Sequence, residues 1–174
     1  MPLRRHRFLI VVCVVFWTGI AGAQDAALLR LGFLLNFARY VEWSEETLKV
    51  GEPLRICLAS GDAGMSTQLD ELPKQSIQGH PLQTRKPNRP GDAGNCHLLY
   101  LPAEAPGIMA AWLNAAHQAG ALTVSDGPDF VEAGGIIGLA PVGGRYRFDI
   151  NLGVARQSRL RLSSQLLKLA RTVK

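Results

Sequence analysis

Past its first segment the chain carries two cysteines, Cys57 and Cys96, and three histidines, His80, His97 and His117. No pair of these has the close spacing of zinc ligands, so neither a metal nor a cofactor is expected. A serine nucleophile would need a G-x-S-x-G turn, and none is present; Ser60 before Gly61 reads as a loop serine after a strand. Gly61-x-x-Gly64 precedes a helix, as phosphate loops do, but it lacks the lysine and the spacing of a P-loop. It reads as a plain turn. Asp62, Glu104, Asp126 and Asp129 fall in loops after strands, the edge at which open α/β sheets bind ligands. A phospho-receiver would place an aspartate at the end of the third strand, where Leu101-Pro102-Ala103 stands. These acids read as N-caps and solvated turn residues, Asp129 before Phe130 fitting a cap. No catalytic site is expected.

What remains is covalent bridging and recognition. Cys57 and Cys96 fall in strands that are commonly neighbours in a doubly wound sheet, within the span of a disulfide. Cys57 is late in its strand and Cys96 opens its own, so the strands must be staggered. The bridge is either structural or one whose redox state alters a binding surface. Two surfaces could recognise something. Arg145, Arg147 and Arg161 with Ser163 and Ser164 at a helix start suit an acidic ligand or an acidic patch. Their plain alternative is capping and solvated arginines. Phe37, Tyr40 and Trp43 would mark a protein contact if exposed, and core if buried.

These residues need elements to position them. Leu28, Leu31, Leu35 and Ala38, widened by Leu34, Phe37 and Val41, predict a largely buried helix over 27–43. Leu54–Ala59, Pro81–Arg85 (an edge strand), Cys96–Leu101, Ala121–Ser125 and Gly135–Ala140 read as strands. Ser60-Gly61-Asp62-Ala63-Gly64 is followed by a short helix to about Leu72, and another helix runs from Pro106 to about Ala119, stopped by Gly120, with a helical turn at Asp129–Ala133. Gly143-Gly144 suits a two-residue hairpin, after which Tyr146, Phe148 and Ile150 alternate with Arg145, Arg147 and Asp149. Ser163 or Ser164 caps a last helix with the stripe Leu162, Leu166, Leu169 and Val173, and Lys168, Arg171 and Lys174 suit its negative end. The alternation predicts an α/β three-layer sandwich: a mostly parallel sheet, helices on both faces and a terminal antiparallel hairpin.

The first 23 residues stand apart. Arg4, Arg5 and Arg7 precede an apolar run from Phe8 to Ile20 and then Ala21-Gly22-Ala23, the pattern of a secretory signal peptide cleaved after Ala23. A membrane anchor is the rival, but the run breaks at Thr18-Gly19 short of the roughly 20 apolar residues a span needs. Of 174 residues, 151 then remain (24–174), enough for one domain with a real core. The charge of +5, from 19 basic and 14 acidic residues, falls to +2 once three arginines leave. A nucleic-acid partner loses its main support. The three cysteines become an even pair in an exported protein.

Several stretches in order resemble the YfiR/HmsC-like family. They are Gly32-Phe33-Leu34-Leu35-Asn36-Phe37-Ala38-Arg39-Tyr40-Val41-Glu42-Trp43, Pro53–Cys57, Cys96–Tyr100, Leu122–Asp126, Gly134–Leu139, Arg147–Leu152 and Leu162–Ala170. The resemblance implies a periplasmic α/β protein without known catalytic activity. It implies binding to the periplasmic part of an inner-membrane diguanylate cyclase, held inactive, so that cyclic di-GMP and biofilm formation stay low. Cys57 and Cys96 fall where such proteins carry a pair linked to oxidation, while a second pair seen in some of them is missing here. Other relatives imply other membrane partners, including sensor kinases, with a small-molecule ligand and a homodimer as further partners to test.

Overall fold

The runs at 54–58, 98–101 and 122–125 are apolar nearly throughout, so a sheet built from them needs cover on both faces. The computed structural model describes residues 20–59, 63–70, 72, 75–103 and 106–174. In chain order the elements are α1 (Ile20–Tyr40), β1 (Val41–Glu42), β2 (Leu54–Leu58), α2 (Ala63–Leu69), β3 (Ser76–Ile77) and β4 (His80–Arg85). A 3-10 helix at Pro90–Asn95 leads to β5 (Leu98–Leu101), α3 (Pro106–Gln118), β6 (Leu122–Ser125), β7 (Ile137–Val142) and β8 (Arg145–Ile150). The chain closes with α4 (Leu152–Gln157), β9 (Arg161–Leu162), α5 (Ser164–Leu169) and β10 (Thr172–Val173).

The main sheet has eight strands in the order β10-β8-β7-β6-β5-β2-β4-β3. Its interior pairs β4–β2–β5–β6–β7 are parallel, and β7–β8 is the antiparallel hairpin. Two cores lie on opposite faces. One packs α1, α2 and α5 (Leu31, Leu34, Phe37, Leu69, Leu166) on Leu54, Ile56, Tyr100 and Phe148. The other packs α3 (Met109, Trp112, Leu113) on Cys57, Leu99 and Leu101. This is a three-layer α/β sandwich with a mostly parallel sheet.

Several boundaries differ from the sequence expectation, each for a tertiary reason. The first helix ends at Tyr40 rather than residue 43, because Val41 and Glu42 pair antiparallel with Leu162 and Arg161. Gln78, held at φ +53 in the β3–β4 turn, caps that end from outside: its Nε2 donates toward the carbonyls of Ala38, Arg39 and Val41 at 3.0–3.1 Å. Leu28, placed in the buried stripe by spacing, is 58% exposed. The last helix stops at Leu169, leaving Leu169 and Val173 exposed, and Thr172–Val173 instead forms an edge strand parallel to β8. The hairpin is therefore not the sheet edge. Arg171 and Lys174 answer Asp149 and Glu132 rather than the helix end.

Asp129 sits at φ +54 in a run of turns, so it is no N-cap. Gly120, Gly143 and Gly144 do take the positive φ (+71, +57 and +74) that their turns require. Ser163 caps α5, its hydroxyl accepting from the Leu166 amide at 3.2 Å. α4, which periodicity did not mark, opens on Asn151, whose side chain accepts from Val154 N at 3.0 Å. Most of the expected leader lies outside the described residues, and its last four positions form the start of α1. Among the described residues no helix is long and apolar enough to cross a membrane.

Candidate functional site

The parallel strands β2 and β5 are joined twice. Cys57 and Cys96 form a disulfide with an S–S distance of 1.98 Å and a Cα–Cα distance of 5.8 Å. Cys57 pairs in register with Leu99, three residues beyond Cys96, so the bridge slants across the pair. The 3-10 helix delivers Cys96 to that position, its last amide bond running from Cys96 N to Ala93 O. Both cysteines are buried among Met109, Trp112 and Leu113, so a dissolved reductant reaches the sulfurs only when the α3 side opens.

The second join is His97, 1% exposed. Its Nδ1 accepts from the Arg55 backbone amide at 2.9 Å, which leaves Nε2 to donate to the Thr47 carbonyl at 3.0 Å. The Arg55 guanidinium lies 2.9 Å from the same Nε2 and donates through Nε to Asn95 O at 2.6 Å. Burial first, and the Arg55 charge second, push the imidazole down to about pKa 4. It is a neutral structural ring at physiological pH. Trp43 Nε1 donates to the His97 carbonyl at 3.0 Å, tying the end of the first segment into the same cluster.

At the opposite, carboxyl edge of the parallel strands, Arg30 of α1 meets Asp126 at 3.0 Å, both side chains about one-fifth exposed. The chain reverses its order between β2 and β5, where ligands of open α/β sheets sit. Asp62 and Glu104, expected beside that point, lie outside the described residues. Asp126 and Asp129 instead line a cleft of about 350 Å³ between the 126–132 turns and β7, walled by Phe130, Val131, Ala140 and Pro141. A Cβ at Gly135 would fall inside the Phe130 ring, so glycine there lets the ring close over the sheet. Across the cleft, Arg171 holds the Asp149 carboxyl below the usual carboxylate range, with Thr172 donating to the same group at 2.5 Å. Among the described residues no three His, Cys, Asp or Glu groups could hold a metal ion.

The two recognition surfaces read from sequence are rearranged. Phe37 is 1% exposed and stacks edge-on with Phe148 at 5.1 Å, and Tyr40 and Trp43 pack against the same core. Phe37 is therefore core, while Tyr40 and Trp43 keep part of their surface exposed. Tyr146 and Phe148 face α1, so strand alternation sends the exposed Arg145 and Arg147 to the other face. Arg161, Ser163 and Ser164 stay on the α1 side, where Arg161 lies 3.7 Å from Glu42 and Ser163 N donates to Tyr40 O at 2.9 Å. The fold thus separates Arg145 and Arg147 from the helix start they were grouped with. Sequence reading weighed His97 only as a metal ligand and did not mark Arg55, Gln78 or Arg30. Arg30 leaves a trace in the sequence, as a charge between the apolar residues Leu29 and Leu31 of α1.

Sequence comparison now decides the family. The chain matches the YfiR/HmsC-like family over residues 28–171, which takes in α1 from Leu28 onward and every element after it through α5. The chain belongs to the YfiR/HmsC-like family. That family is periplasmic, and regulatory rather than catalytic. No curated protein matches this YfiR/HmsC-like chain. Among solved structures it is similar to a conserved domain protein from Vibrio cholerae O1 biovar El Tor, at 16% identity and a TM-score of 0.51. It is also similar to an ABC domain in complex with L-Trp from Streptococcus pneumonia, at 13% identity and a TM-score of 0.53. Each alignment covers 87% of this chain and 60% of the other, so the YfiR/HmsC-like chain spans about three-fifths of either. Both likenesses concern the fold.

Proposed function

We propose that this protein is a periplasmic regulator, exported by cleavage after Ala23, that binds the periplasmic part of an inner-membrane diguanylate cyclase and holds it inactive. Lower cyclic di-GMP and less biofilm are the consequences. The observation that carries this reading is the family match across 28–171. Mechanism reduces to differential affinity: the regulator must bind the inactive receptor more tightly than the active one, since equal affinity for both shifts nothing. Arg145 and Arg147 are its contact residues on the receptor. Both are exposed, and among the described residues neither has an ion-pair partner, so they suit an acidic patch.

A small-molecule-binding module serving a sensor kinase or another receptor is the second reading. The cleft beside Asp126 and Asp129 favours it, being concave and part apolar at the sheet edge where such folds take ligands.

Titrating the processed protein against the periplasmic domain of an inner-membrane diguanylate cyclase of the same organism tests the first reading. Saturable binding is expected, and reversing both charges (Arg145→Glu with Arg147→Glu) should weaken it by roughly tenfold or more. Binding unchanged by the double reversal removes those arginines from the contact. No binding at all removes this cyclase as the receptor.

A further inference from the structure

β2 and β4 turn alternate residues to opposite faces of the sheet. Leu54 and Ile56 of β2 and Leu82 of β4 pack in the α1 core, so Arg55, Gln83 and Arg85 share the other face with Cys57. In the parallel register Gln83 lies directly across from Arg55, and Arg85 across from Cys57, two residues further along. Residues on such a diagonal are about 7–8 Å apart, within the reach of two arginine side chains. Gln83 and Arg85 are exposed and Arg55 is half-buried. The Cys57–Cys96 bridge fixes the backbone beneath them.

The Arg55 charge is left unanswered inside the fold. Its Nε donates to Asn95 O at 2.6 Å, but its Nη2 lies 2.9 Å from His97 Nε2. That ring accepts the Arg55 amide at Nδ1, so Nε2 carries the ring proton and gives it to Thr47 O. A donor therefore faces a donor. Lys86 and Arg89 nearby hold Asp70 and Asp92, whereas neither Arg55 nor Arg85 has an ion-pair partner among the described residues. Burial first and the Arg85 charge second lower the Arg55 pKa, and Glu52 opposes them only in third place. Surface arginines ordinarily swing apart into water, but Asn95 and the buried His97 hold Arg55 in place. An oxyanion between the two guanidiniums answers both charges, takes donors from each and from the Gln83 amide, and gives Nη2 an acceptor. Two positive charges favour a dianion. Their difference in depth suits one small ion seated between them over a flat protein contact.

We propose that Arg55, Gln83 and Arg85 form a binding site for a small dianionic oxyanion of the phosphate or sulfate class, on the sheet face above the Cys57–Cys96 bridge. The site goes beyond the receptor reading and stands independently of it.

Calorimetric titration of the processed protein with sodium sulfate and sodium phosphate tests it, at an ionic strength held constant with sodium chloride. Thermal unfolding confirms that each variant is folded. One saturable site is expected, with a Kd on the order of 1 mM. Arg85→Gln, at an exposed position, should weaken binding by roughly tenfold or more. Gln83→Ala keeps both charges and should weaken it several-fold. Arg156→Gln removes an exposed arginine of α4 and should leave binding unchanged. The Arg55 Nε–H signal in nitrogen NMR should shift along the same saturation curve. Absence of saturable binding up to about 20 mM overturns the proposal. So does binding that Arg85→Gln leaves intact, binding that Arg156→Gln weakens as much, or an Arg55 signal unmoved at saturation.

Discussion

Replacing both cysteines (Cys57→Ala with Cys96→Ala) should lower the stability of the processed protein by about 4 kcal/mol in the chain-entropy treatment. The bridge closes a loop of 39 residues, and opening that loop enlarges the ensemble of the unfolded chain. Both sulfurs are also buried against α3, so the truncated side chains lose packing on top of the entropy. For a domain of this size the loss corresponds to a melting temperature lower by roughly 10 °C. Guanidinium unfolding of oxidised, reduced and doubly substituted protein measures it. A change under about 1 kcal/mol would mean that the bridge adds little to the fold, and would shift the weight toward a switching role. Reduction of the native protein should be slow and should speed up in mild denaturant, because the sulfurs are reached only through opening of the α3 face.

The second large effect is a dependence of stability on acid that comes chiefly from His97, with a further contribution from His117, whose imidazole burial also pushes down. In the unfolded chain His97 titrates near pH 6.5, and in the fold it is held down to about 4 by burial and by the Arg55 charge. The folded state thus favours the neutral ring. Its contribution is complete above pH 6.5 and is lost as pH falls toward 4, where the imidazole must be charged inside the cluster. The span of the shift corresponds to a loss on the order of 3 kcal/mol across that window. Asp149, whose carboxyl is held low chiefly by Arg171, adds its own loss only at lower pH. His97→Gln keeps a donor and an acceptor without a titrating ring. It should be less stable than the native protein at pH 7 but flatter between pH 6.5 and 4. Parallel pH profiles for the two proteins would rule His97 out as the source.

Much of this fold can be read from local pattern, and the exceptions share a cause. Leu98–Leu101 is apolar throughout and Leu122–Ser125 has only Thr123 and Ser125 as polar residues, so both read as strands, Gly143-Gly144 marks the hairpin, and Ser163 marks a helix start. The two-residue strands β1, β3, β9 and β10 have no period to detect; they exist because distant backbone brings them a partner, as Val41 finds Leu162. Leu28 was placed in the core because α1 is apolar on so much of its circumference that spacing alone does not select the buried face. Arg145 and Arg147 were correctly put on the wet side of their strand. Which side of the sheet α5 covers is a matter of topology, and it parts them from Ser163. The cysteine pair was visible because a cysteine advertises its chemistry by type. The His97–Arg55 cluster, joining residues 42 apart through a backbone amide, advertises nothing.

Regulation by binding to a membrane cyclase is tested most directly in the cell. Cyclic di-GMP should be measured in a strain lacking this gene, in the same strain with the receptor cyclase also deleted, and in the complemented strain. Loss of the regulator should raise cyclic di-GMP, and loss of the cyclase as well should return it to the parental level. Complementation with the native chain should do the same. An unchanged level in the single deletion, with the cyclase expressed, would contradict the proposed function.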